Sequence, residues 1–213
     1  MAADEPDQLD AVTFAGGVLD RYRHVCTFVN GQREEEAILA VLDSFIREGV
    51  DRGERLLYLV DPSASAAPVN RLRHLGYDAG ELLAHHQCEV RTWNDTYLRG
   101  GSFDQAAMLD LLDQTLAGDQ SPRIRMMCDM GWAADRSDVA AHLIEFEARA
   151  NFIHARHEHI VICSYDATEF DGSFIIDILR THPMVLIGGM LQVNPFFVPP
   201  TELLEELSLR VAR

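Results

Sequence analysis

Residues 24–62, HVCTFVNGQREEEAILAVLDSFIREGVDRGERLLYLVDP, decide how the rest of the chain is read. The run from His24 to Val29 is a short apolar strand, closed by Asn30-Gly31. From Glu34 onward Ala37, Ile38, Val41, Leu42, Phe45, Ile46 and Val50 recur at the spacing of one helix face, and Gly49 and Gly53 mark its end. A second apolar run, residues 55–60, stops at Asp61-Pro62. Strand, helix and strand in this order form a βαβ unit, whose crossover lays the helix on one face of a parallel sheet.

A βαβ unit that binds nucleotide carries a glycine-rich turn with Lys and Ser or Thr after its first strand, so that backbone N–H groups and an ammonium surround the phosphates. Here that turn reads Asn30-Gly31-Gln32-Arg33-Glu34-Glu35-Glu36, with one glycine and no lysine. Its three carboxylates suit the positive end of the helix dipole and repel a phosphate brought to the same place. The unit is therefore a degenerate P-loop scaffold at which no ATP is expected.

The chain has 213 residues, enough for one well-buried core. Its 18 basic and 34 acidic residues give a formal charge of −16, which argues against a nucleic acid or an anionic membrane as direct partner. No apolar run is long enough to span a bilayer, and the start, MAADEPDQLD, lacks the apolar centre of a secretion signal. A cytoplasmic protein is expected. Four well-separated cysteines, Cys26, Cys88, Cys128 and Cys163, then read as buried thiols.

Residues 1–19 are acidic and weakly patterned and are expected to be a loose arm before a single domain over 20–213. Beyond the opening unit, helices are expected over 68–75, 81–86, 103–116, 138–154, 173–180 and 200–213, and strands over 88–93, 123–129 and 160–165. Residues 184–187 and 190–193 flank Gly188-Gly189 as a terminal hairpin. This alternation predicts an α/β fold of three layers, a mainly parallel central sheet between helices with a C-terminal hairpin and helix.

Several short runs carry a resemblance. They are His24-Val-Cys26, Arg52-Gly-Glu54 entering LLYLVD, Tyr97 before Gly100-Gly101-Ser-Phe103-Asp104, and the run from Arg125 to Trp132. Phe146-Glu147-Ala-Arg-Ala-Asn151, Cys163-Ser-Tyr165-Asp166, His182-Pro183 and Asn194-Pro195 follow in the same order. Together, over residues 20–198, they resemble the MEDS sensory domain of methanogens, methylotrophs and the dichloromethane-responsive repressor, regarded as a degenerate relative of the KaiC/RecA-like ATPases. The resemblance implies a RecA-like sheet and a sensor of small hydrocarbon-derived molecules. It also implies an output through a signalling partner such as a kinase, an anti-sigma factor or a transcription regulator, because no DNA-binding or kinase segment is visible.

Open α/β sheets bind ligands outside the carboxyl ends of their strands. In a RecA-like order the first strand lies beside the strands ending at Asp129 and Asp166, which draws Cys26, Cys128 and Cys163 together near that edge. The expected ligand site is His24, Cys26, Asp129, Trp132, Glu147, Cys163, Tyr165, Asp166 and His182. Each has a plainer reading: a strand cysteine is most often a small core residue, and Trp132 a core or rim aromatic. Glu147 is either paired with an arginine such as Arg125 or at the border of a buried face. His85, His86, His154, His157 and His159 read as solvated histidines at helix ends.

Two other classes stand beside the ligand sensor. One is a thiol or metal sensor using Cys26, Cys128 and Cys163, although no CxxC pair gives a compact metal signature. The other is an interaction module that self-associates through residues 202–211. No GxSxG, HExxH or Rossmann glycine pattern is present, so no catalytic residue is expected and no cofactor or metal is assigned.

Overall fold

The expected opening unit forms as β3 (His24–Val29), α1 (Gln32–Asp51) and β4 (Arg55–Val60). It is preceded by a hairpin of β1 (Val12–Phe14) and β2 (Gly17–Leu19), and followed by α2 (Ala67–His74), α3 (Ala79–Ala84) and β5 (Cys88–Thr92). Then come α4 (Gln105–Leu116), β6 (Ile124–Asp129), α5 (Ala140–His154), β7 (Ile160–Asp166) and α6 (Gly172–Thr181). The chain closes with β8 (Met184–Ile187), β9 (Met190–Val193) and α7 (Pro200–Val211). This is a computed structural model, and it describes residues 11–20, 22–117, 122–134 and 139–211. Asp138, expected in the first turn of α5, lies outside the described residues, as do residues 1–10.

Seven strands form one sheet in the order β5-β4-β6-β7-β3-β8-β9, parallel throughout except for β9. One face packs β-strand residues Val25, Leu56, Met127 and Ile162 against Ile38, Leu42 and Phe45 of α1 and Leu72 of α2. The other packs Cys26, Leu57, Met126, Val161 and Cys163 against Leu112 of α4, Leu143 and Phe146 of α5 and Ile178 of α6. The three-layer α/β architecture with its hairpin and terminal helix is thus the predicted one. Gly188 and Gly189, at φ 59° and 76°, turn β8 into β9 with the left-handed backbone that a two-residue hairpin demands.

Three expectations change. The strand order puts β3 beside β7 and β8, not beside β6, whose Asp129 end lies one strand further away. A helix of 20 residues, about 30 Å long, lets the β3-to-β4 connection pass over the two strands between them. Residues 12–19, expected within a loose arm, form a packed hairpin: Val12, Phe14 and Leu19 are buried and Leu191 N–H of β9 donates to Ala15 O. His154 and His159 are buried, not solvated. His159 Nδ1 accepts from Ile124 N–H at 2.9 Å while its Nε2 lies 3.0 Å from Leu116 O, which ties the start of β6 to the end of α4.

No helix among the described residues is long and apolar enough to cross a membrane. The terminal helix α7 buries Leu203 and ties Glu206 to Arg180 of α6, so part of its surface is spent within the domain.

Candidate functional site

The expected site residues divide between two places, one within the core beneath α4, α5 and α6 and one at the carboxyl ends of the strands, which Trp132 reaches from the same core. On the face beneath α4, α5 and α6, the register aligns Cys26 with Cys163 and Cys163 with Cys128 across β3, β7 and β6. His24 shares this face with Cys26 because strand side chains alternate. Glu147 reaches down from α5, Tyr165 comes from β7, and His182 sits between α6 and β8. None of His24, Glu147, Cys163, Tyr165 and His182 is more than 3% exposed.

These five side chains meet. His24 Nε2 lies 3.3 Å from Glu147 Oε2, and His182 Nε2 lies 3.8 Å from the same oxygen. Tyr165 Oη donates to Glu147 Oε1 at 3.0 Å, and Cys163 Sγ is 3.8 Å from His24 Nε2. The two imidazole rings stand with centroids 4.0 Å apart. Both alternatives for Glu147 are therefore corrected: it is fully enclosed and not at the border of a buried face, and Arg125 points to the other face, to Glu54 and Glu48.

Hydrogen bonds place a proton on Nδ1 of both histidines. Asn151 Nδ2 donates to the carbonyls of Glu147 and Thr181, so its Oδ1 must accept, and His24 Nδ1 at 3.2 Å carries the proton. His182 Nδ1 lies 3.0 Å from Ile178 O, an acceptor only, so it too is protonated. The remaining Nε2 of His182 is buried with no hydrogen-bond partner among the described residues. Both rings thus aim their Nε2 atoms at the Glu147 carboxylate.

Burial works to raise the Glu147 carboxyl, yet the hydrogen bond from His24, the charges of His182 and His24 and the Tyr165 hydroxyl together hold it below its ordinary value. His182 is pushed down to about 3, by burial first and then by His24. The Cys163 thiol is raised well above its usual value by its hydrogen bond with Cys128 and by burial, and Cys26 is raised by burial and the Glu147 charge. All four cysteines are free, buried thiols. Cys26 takes part differently from Cys163, since its thiol turns to the carbonyl of Met184 at 3.8 Å.

The second place is a cavity of about 1130 Å3 at the carboxyl ends of β3, β4, β6 and β7, on the face covered by α1 and α2. Its walls include Val29, Ile38, Leu42, Ile46, Val60, Met127 and Ile162. Glu35, Asp61, Asp129, Asp166 and Glu169 add carboxylates, and both tryptophans, Trp93 and Trp132, line it. Of the expected site, only Asp129, Trp132 and Asp166 belong here. Burial raises the Asp129 carboxyl, with the charges of Asp61 and Glu35 adding to it against the hydrogen bond from Gly131 N–H. The connection from β3 to α1 is only Asn30-Gly31.

Sequence reasoning did not place Asn151 or Thr181 in the site, and it read as solvated His154, which is buried with its ring 4.5 Å from that of His24. The signal for Asn151 is an amide on α5 four residues beyond Glu147, one helical turn along the same face. It also passed over Glu35, Asp61 and Trp93 as cavity residues.

Residues 23–183 match the family model described as "MEDS: MEthanogen/methylotroph, DcmR Sensory domain". A search of the curated proteins found no match. Among solved structures, the chain is similar to the flagellar accessory protein FlaH of Methanocaldococcus jannaschii, at 12% identity and a TM-score of 0.46, over 80% of this chain and 76% of that one.

Proposed function

The chain belongs to the MEDS family of sensory domains, and from that premise we propose that it is the receptor for a small, mostly apolar, uncharged molecule bound in the cavity between α1, α2 and the sheet. The carrying observation is a largely apolar cavity at the ligand-binding end of a parallel sheet, bordered by the carboxylates of Glu35, Asp61, Asp129, Asp166 and Glu169, with the lining guanidinium of Arg71 held by Asp43. Glu35, Asp61 and Asp129 repel an anion, and a two-residue turn cannot wrap a triphosphate with its N–H groups. The scaffold is accordingly a degenerate one that neither binds nor hydrolyses nucleotide, and no catalytic residue is assigned. Tyr58 Oη and Trp132 Nε1, on two cavity-lining residues, have no hydrogen-bond partner among the described residues. An occupant with an acceptor atom, such as a hydrocarbon-derived carbonyl, ether or alcohol, satisfies such donors.

Occupation of the cavity shifts the segments that carry its lining residues Glu35, Gly131, Trp132, Ala134 and Glu169, and so changes the surface offered to a partner. That partner is a kinase, an anti-sigma factor or a transcription regulator, met in the cytoplasm by this chain alone or as a homo-oligomer; nucleic acid and membrane play no direct part. A purely thiol-based sensor is the weaker reading, because a reactive cysteine needs exposure and a lowered pKa, whereas Cys26 and Cys163 are buried and raised.

The experiment uses the two tryptophans, both of which line the cavity, as intrinsic reporters. Titration with short-chain ketones, alcohols and halogenated alkanes is expected to give a saturable fluorescence change that Leu42→Phe, by filling the cavity, removes. Mg-ATP is expected to give none. A saturable response to Mg-ATP with none to the apolar panel would overturn the reading.

A further inference from the structure

The buried cluster on the opposite face of the sheet has no role in the cavity reading, and its geometry is that of a ligand shell. We propose that His24 Nε2, His182 Nε2, the Glu147 carboxylate and Cys163 Sγ bind one divalent first-row transition-metal ion, with zinc the best match to the donor set. One donor atom from each of the four lies within 4.8 Å of the other three. Zinc bonds of about 2.0–2.3 Å to N, O and S place tetrahedral donors about 3.3–3.8 Å apart. The His24–Glu147, His182–Glu147 and His24–Cys163 separations are 3.3, 3.8 and 3.8 Å.

Three independent features support the assignment. First, each imidazole donates its Nδ1–H to a protein acceptor, Asn151 Oδ1 or Ile178 O, and presents Nε2 to the cluster. That is the arrangement by which an outer hydrogen bond orients a metal-binding histidine. Second, the His182 Nε2 is fully enclosed and has no hydrogen-bond partner among the described residues, and a metal bond satisfies it. Third, two neutral imidazoles, a carboxylate and a thiolate sum with a divalent ion to zero charge, which suits a centre sealed from water. A mixed nitrogen, oxygen and sulfur shell with tetrahedral spacing favours zinc over calcium or magnesium, which take oxygen.

Binding is a ligand exchange without redox change. The Cys163 S–H bond breaks, its proton leaves to solvent, and a sulfur–metal bond forms; any proton shared between His24 Nε2 and Glu147 leaves as the nitrogen–metal bond forms. With four protein ligands and no open position the centre is structural in type. It joins β3, α5, β7 and the α6–β8 connection. Cys163 lies between Ile162 and Ser164, both of which line the cavity from the other face, so metal loading sets the rigidity of one cavity wall.

The test uses the full chain, reduced, stripped with a chelator and titrated with Co2+ and then Zn2+. One equivalent of Co2+ is expected to give the visible absorption of a tetrahedral ion and a thiolate-to-cobalt charge-transfer band, both abolished by one equivalent of Zn2+. Cys163→Ser removes the charge-transfer band and Cys26→Ser keeps it. Asn151→Leu, which deletes the outer acceptor of His24 together with the amide's bonds to Glu147 O and Thr181 O and leaves all four ligands in place, weakens Co2+ binding about 10–100-fold in the folded variant. Absence of saturable one-to-one Co2+ binding by the unaltered chain would overturn the proposal whatever the variants do, and so would a charge-transfer band that survives in folded Cys163→Ser. The tryptophan titration of the cavity, run in chelator, is a separate readout, so failure here does not decide the ligand reading.

Discussion

Replacement of Arg125 by Met is expected to cost about 3 kcal/mol of stability. The guanidinium is fully buried on β6 beneath α1. Its Nε donates to Glu54, its Nη1 to Phe45 O at 2.6 Å, and its Nη2 to Glu48 at 3.2 Å, while its carbon lies 4.4 Å from the centre of the Phe45 ring. Gly49 makes the room: a Cβ there would stand 2.7 Å from Arg125 Cδ. Methionine keeps most of the volume and removes the charge, leaving the buried Glu54 carboxylate, among the described residues, with Arg123 at 3.4 Å as its remaining ion pair. Removing one partner of a buried pair costs about 3–5 kcal/mol. The low end applies, because Arg123 remains and Glu48 keeps Arg52 at 3.0 Å and partial contact with water. At about 2–4 °C per kcal/mol for a chain of this size, the melting midpoint falls by about 6–12 °C. Urea unfolding followed by far-ultraviolet circular dichroism measures the change at constant m-value. The double variant Arg125→Met/Glu54→Met removes the stranded charge and is expected to recover part of the loss. A single variant within 1 kcal/mol of the unaltered chain, or a double variant no better than the single, would refute the argument from an uncompensated buried carboxylate.

Two further outcomes follow from particular contacts. Asp129→Asn is expected to raise the melting midpoint at pH 7, because the folded state lifts this carboxyl above its unfolded value through burial and the Asp61 and Glu35 charges. A raised carboxyl contributes stability that is present below its unfolded pKa of about 3.9 and is lost as pH rises through the folded value, so the gain shrinks toward pH 4. Thermal melts of both proteins at the two pH values check the sign, and an equal gain at both would contradict it. Gly17→Ala is expected to cost about 1–3 kcal/mol, because its Cβ would sit 2.5 Å from Leu191 O and push the first hairpin off β9. Chemical denaturation reads that loss, and an unchanged midpoint would mean that the hairpin is not held against the edge strand.

The sequence by itself determined what depends on local chemistry. The period of apolar residues over 24–62 gave β3, α1 and β4, and Gly188-Gly189 marked the terminal hairpin. His24, Glu147, Cys163, Tyr165 and His182 were legible as chemistry-bearing residues because polar groups interrupt otherwise apolar runs. Their division from Asp129, Trp132 and Asp166 was not legible. Which strands are neighbours depends on how far each crossover carries the chain across the sheet, and no residue encodes that distance locally. The partner of Glu147 was hidden for a related reason. Helix α5 is buried around Ile144, Glu147, Ala148, Asn151 and His154 as well as along its Leu143–Phe146 side, because it lies between the sheet and α4, α6 and α7. A helix enclosed on most sides has little amphipathic signal, so only tertiary packing decides that its carboxylate turns to two histidines and a tyrosine and not to Arg125.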